Sequence, residues 1–147
     1  MKHILSLLLV TVVLSSLLGC SSTGGKNEIS SLATEPAVTS LMETAGVTAN
    51  QAIGGLGSIL SLAKSKVTPE DFDKLAAGIP SADKYMSALG DMGISSGDIK
   101  TALDLQAAYN KLGMNDDVQQ KFTSAAVNYV RSAGGEDAAS VLSGLGL

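Results

Sequence analysis

From Pro36 onward, nearly every segment of the chain carries apolar residues at helical spacing, and no run sustains the two-residue alternation of a strand. Val38, Leu41, Met42 and Ala45 make a first stripe, with Pro36 in the opening turn and Gly46 closing it. Thr48-Ala49-Asn50-Gln51 has the capping-box pattern and opens the longest apolar helix, carried by Ala49, Ala52, Ile53, Leu56, Ile59, Leu60 and Ala63. Thr68-Pro69-Glu70-Asp71 is a further helix start, with acids in the first turn where the helix dipole favours them, and Phe72, Leu75, Ala76 and Ile79 follow it. Pro80-Ser81 restarts the chain for a stripe of Ala82, Tyr85, Met86 and Leu89; positions 90–97 read as a loop. A helix is expected from Asp98, with Ile99, Ala102, Leu105, Tyr109 and Leu112, and Gly113 ending it. Asn115 caps the next, whose Val118, Phe122, Ala125, Ala126 and Tyr129 face inward. Gly134-Gly135 breaks it, and Glu136-Asp137 begins a last helix with Ala138, Val141, Leu142 and Leu145. The expected fold class is all-α, a compact bundle of about seven short helices.

The materials of this core are unusual. There is no Trp, and there are two Phe and three Tyr, so Ala, Gly, Leu and Val must do most of the packing and helices must approach closely. The three tyrosines lie on apolar stripes and read as core anchors with satisfied hydroxyls. A faint repeat shows at an offset of 67 residues, the separation of Gly46-Val47-Thr48 from Gly113-Met114-Asn115; Lys64-Ser65 then falls on Arg131-Ser132 and Leu75 on Leu142. One such unit cannot bury its apolar face alone, so two related helical-hairpin units facing each other are a plausible core.

Before Pro36 the pattern changes. Lys2 precedes an apolar run from Ile4 to Leu18, which is shorter than the 20 or so residues that span a bilayer. It ends in Leu17-Leu18-Gly19-Cys20, a small residue and a cysteine where a secretory leader is cut. The arrangement resembles a bacterial lipobox, which implies removal of residues 1–19 and lipidation of Cys20, since only a thiolate is nucleophilic enough to take the diacylglyceryl group. Two or three acyl chains would hold the protein on a membrane essentially permanently. By resemblance to known lipoproteins, Ser21 in place of an aspartate favours the outer membrane over the inner. Residues 20–34, rich in Ser, Thr and Gly, read as the lipidated cysteine and a flexible tether, and 35–147 as the helical domain. Cleavage would leave nine basic and fourteen acidic side chains, a net charge of −5, which argues against nucleic acid as a partner.

Two blocks of the domain, LAKSKVTPEDFDKLAAGIP from Leu62 to Pro80 and KLGMNDDVQQKFTSAAVNYVRSAGGEDAASVL from Lys111 to Leu142, are similar to the VcgC/VcgE-type family of bacterial proteins of unknown function. The similarity covers roughly Gly46 to the end of the chain and rests on the Pro-Glu-Asp-Phe turn, Ile79-Pro80, Phe122, Tyr129 and Gly134-Gly135. These are helix stops and core anchors. The resemblance implies a shared fold and brings no activity and no catalytic residues.

Chemistry is scarce. His3 and Cys20 are the only histidine and cysteine, and the first lies in the leader while the second is the lipidation site, which leaves no residues for imidazole triads, thiol nucleophiles or ordinary zinc and haem sites. The acidic clusters Glu70-Asp71-x-Asp73, Asp116-Asp117 and Glu136-Asp137 sit in first turns and read as helix starts; Gly54-Gly55-Leu56-Gly57 follows no strand and is no phosphate loop. No catalytic residue, metal or cofactor is expected. On the helix from Ala49, Gly54, Ser58, Ser61 and Ser65 lie opposite the apolar stripe and form a candidate contact face, open to another helix of the chain, a partner or a second copy. The expected role is a non-enzymatic, lipid-anchored envelope protein, protein-binding or structural, with self-association as one form of contact. The alternative is a small carrier holding an apolar ligand between helices.

Overall fold

The computed structural model describes residues 24–147. Seven α-helices and a one-turn 3₁₀ segment make up this part: α1 (Gly24–Leu32), α2 (Pro36–Ala45), α3 (Ala49–Lys66), α4 (Pro69–Gly78), α5 (Ala82–Asp91), the 3₁₀ turn Ser96–Asp98, α6 (Ala102–Lys111) and α7 (Asp116–Gly144). There is no strand among the described residues, and the all-α expectation holds.

Helix ends follow local chemistry. The Thr48 hydroxyl accepts the Gln51 N–H and Gln51 Oε1 accepts the Thr48 N–H, closing the capping box. Thr68 and Asn115 cap α4 and α7. Helix α6 starts later than expected. Thr101 and Asp104 form a second capping box, and it takes the helix start at the expense of Asp98, which stays in the 3₁₀ turn. Ile99 is still buried, so the stripe was real but its first residue is delivered by a loop.

Helix α3 is the axis of the fold. Its residues from Ala52 to Ala63 are all buried, as expected of a helix surrounded on every side. Helices α2, α5, α6 and α7 all pack on it, and α4 packs mainly against α7. Of the stretch expected as a tether over 20–34, the described part is helical from Gly24, and Ile29, Leu32 and Ala33 dock this arm on α5 and α3, with Leu32 only 1% exposed. Three apolar residues at i, i+3 and i+4 suffice to seat one face of a helix, so the folded domain begins before residue 35.

The faint repeat has a structural counterpart. Helices α2, α3 and α4 recur, at the same offset, as α6, the part of α7 before Gly134-Gly135, and the part after it. Gly46 and Gly113 follow α2 and α6 with positive φ of 68° and 76°, and Thr48 and Asn115 then cap the long helix of each unit. Gly135, at φ 82° and ψ −177°, makes the break in α7 where Val67 separates α3 from α4. The two units meet at equivalent residues: the ring of Phe122 fills the space beside Gly55, 67 positions earlier. Residues 55 and 122 meeting each other, with α2 packed on α7 and α6 on α3, is the arrangement of a twofold relation between the units. Helices α1 and α5 lie outside the repeat and both pack on the first unit.

Candidate functional site

The face expected on α3 is internal over most of its length. Gly54 and Ser58 are buried and Ser61 is 5% exposed, and a Cβ at Gly54 would run into Leu112 and Met92. Gly57 lies against the Tyr85 backbone carbonyl of α5, as Gly55 lies against Phe122. Each of the three glycines thus admits a different neighbour of the same chain. The two serine hydroxyls donate to carbonyls one turn back, Ser58 to Gly54 and Ser61 to Gly57, each at 2.7 Å, which satisfies them without water. A partner or second copy therefore has no access at these three positions. Ser65 alone is exposed, and its hydroxyl donates to the Leu62 carbonyl at 2.7 Å and toward that of Ile99 at 3.3 Å. Cys20 lies outside the described residues.

The tyrosines also depart from expectation. Tyr129 is half-buried and the deep position beside it goes to Val130. Tyr85 and Tyr109 are buried, and neither Oη has a hydrogen-bond partner of proper geometry. Burial pushes the Tyr85 phenol well above its usual range, with Glu35 and Tyr129 adding to the effect. Burial does the same to Tyr109, where Thr123 lies close enough to oppose the shift slightly.

Spacing along the chain did not reveal a cleft of about 740 Å³ between the end of α3, α4, the start of α6 and the outer part of α7. Leu62, Val67, Val141 and Leu145 give it an apolar floor. Lys66, Asp71, Lys74 and Asp137 stand around that floor, and most of the rim is open to solvent. Lys74 Nζ donates to Asp71 Oδ1 at 2.8 Å. That contact, with the Thr68 hydroxyl, holds the Asp71 carboxyl below the usual carboxylate range, and Asp71 in turn raises the Lys74 ammonium. Both groups are exposed, so water screens the pair. A second groove lies on the other side of Val67, where Lys64 sits 5.5 Å over the Phe72 ring and 4.0 Å from Asp83.

Among the described residues, no three His, Cys, Asp or Glu side chains gather as a metal site would require, and no helix is long and apolar enough to cross a membrane. The carboxylates of the cleft are spread over the ends of different helices rather than buried as a pair. These features define a small all-α domain with a central helix buried from Ala52 to Ala63 and an open cleft where helix ends converge. The chain belongs to the family described as protein of unknown function VcgC/VcgE, whose match spans residues 19–146. The match takes in all seven helices, including the stretch from Cys20 to Ala45. No curated protein and no solved structure matches the chain.

Proposed function

We propose that the protein is a lipid-anchored component of the bacterial cell envelope that acts by association, as a protein-binding or structural element, and not as an enzyme. The observation that carries this reading is the apolar leader ending in Leu17-Leu18-Gly19-Cys20 ahead of a domain poor in reactive side chains. The docked α1 adds to it, because an ordered arm would leave only residues 20–23 between the lipid and the folded domain and hold that domain close to the bilayer. Ser21 favours the outer membrane. The experiment is Cys20→Ser. The variant should lose incorporation of a fatty-acid probe and leave the membrane fraction, and the wild type should band with outer membrane on a density gradient. A variant that keeps the label and pellets with membranes would refute the anchor.

A second reading, a small carrier, is favoured by the open cleft. Its size falls in the range of small-molecule sites, roughly 300–1,000 Å³, and its lining joins an apolar floor to charged side chains.

A further inference from the structure

We infer that the cleft between α3, α4, α6 and the outer part of α7 binds a zwitterionic amphiphile of the phospholipid kind, its acyl chains on the apolar floor, its anionic group at Lys66 and its cationic group at Asp137. The inference rests on the carrier reading and is independent of the anchor.

The twofold relation between the units shows how the cleft arises. At one crossing, the end of α4 meets the first part of α7 through Gly78 and Gly134, so closely that a Cβ on Gly78 would lie 2.9 Å from the Gly134 Cα. The positions equivalent by the 67-residue offset are Leu145 and Val67. Both of these line the cleft. Side chains thus stand at the two positions that are bare at the other crossing, and Val67, Val141 and Leu145 remain partly exposed there. A bundle of this kind buries such surface wherever it can, so an uncovered apolar floor at a site its own symmetry could have closed is suited to an occupant.

The charges select that occupant. Lys66 makes no ion pair within 4.0 Å among the described residues. In the same lining the Lys74 ammonium is in contact with Asp71, and Asp137 and Glu70 act on it from farther away. The lining thus holds an ammonium at Lys66 without an ion pair and one carboxylate more than Lys74 pairs directly, beside Leu62, Val67, Val141 and Leu145. A fatty acid would meet only Lys66, and a free amino acid would leave the floor bare.

The test uses the wild-type full chain, purified in an uncharged maltoside detergent and titrated with dihexanoylphosphatidylethanolamine, with binding read by native mass spectrometry and equilibrium dialysis. Saturable binding of one molecule per chain is expected. Lys66→Ala and Asp137→Asn should each weaken it about tenfold, as expected for loss of one charge-assisted contact. Gly144→Phe should weaken it strongly, because Gly144 lines the cleft and has open space at its Cβ for a larger side chain. Lys66 is exposed, so its variant carries the test if the Phe variant misfolds. Equal affinity for dihexanoylphosphatidylglycerol would overturn the role of Asp137, and equal affinity for glycerophosphoethanolamine would overturn the role of the floor. Absence of saturable binding, or binding that survives both Gly144→Phe and Lys66→Ala, would overturn the site. A protein partner captured in the envelope while no lipid binds would leave the association reading standing and sink this one.

Discussion

At Tyr85 the fold encloses a hydroxyl that helical spacing placed correctly but could not partner. The residue is wholly buried, Oη has no hydrogen bond, and the carboxylate of Glu35 acts on the ring from outside rather than accepting its proton. A buried hydroxyl without a partner costs about 1–3 kcal/mol. Tyr85→Phe should therefore leave stability unchanged or raise it by up to that amount, measured by urea denaturation. A loss of more than about 1 kcal/mol would mean that Oη is satisfied after all, through a bound water. The same burial gives a pH dependence of defined sign. The folded-state phenol titrates above its ordinary value near 10, so its neutral form favours the folded state at every pH below that value. This contribution is lost as pH rises above about 10, where the unfolded phenol ionises first. Wild type should thus lose stability in that alkaline range, and Tyr85→Phe should lose less of it. If the two alkaline profiles superimpose, Tyr85 is not the group responsible.

Among the elements, α7 shows what a sequence can and cannot reveal about a helix. Its N-cap at Asn115 and its break at Gly134-Gly135 were both legible, because each depends on residues adjacent in the chain. The same holds for Thr48 with Gln51 and for Thr68. The start of α6 was misplaced because Asp98 and Thr101 are both competent first residues, and only Thr101 has an acid three positions on to complete the box. Gly135 adopts φ 82° and ψ −177°, a region essentially reserved for glycine, with nothing within 4 Å of where its Cβ would be. Gly135→Ala should cost about 1–3 kcal/mol from backbone strain alone. Gly144, also open but not at positive φ, should gain up to about 1 kcal/mol as alanine, by helix propensity. Denaturation curves of the two variants moving in the same direction would mean that the break at Gly135 is not conformationally demanded.

On the scale of the whole molecule, the units were faintly visible in the sequence, while their relation and its consequences were not. The cleft is lined by ends of helices from Leu62 to Leu145, and no local spacing could have brought these together. The three glycines of α3 could be seen to weaken their helix, but not which neighbour each admits. The axis between the units makes one of these neighbours predictable in energy. Equivalent positions meet at a twofold axis, so two large side chains cannot both occupy it. Here the second unit supplies Phe122, fully buried and edge-on to Tyr109 at 5.7 Å, and the first supplies Gly55. Phe122→Ala should cost about 3–5 kcal/mol by leaving a void. Gly55→Ala should cost about 1–3 kcal/mol by driving its methyl into the ring. The two losses should not add. With the ring gone the methyl at 55 has room, so the double variant should be more stable than the sum predicts by at least about 1 kcal/mol, a coupling typical of residues in contact. Urea denaturation of the wild type, both single variants and the double variant measures this. Losses that add to within about 0.5 kcal/mol would separate Gly55 from Phe122 and remove the axis on which the two units are here related.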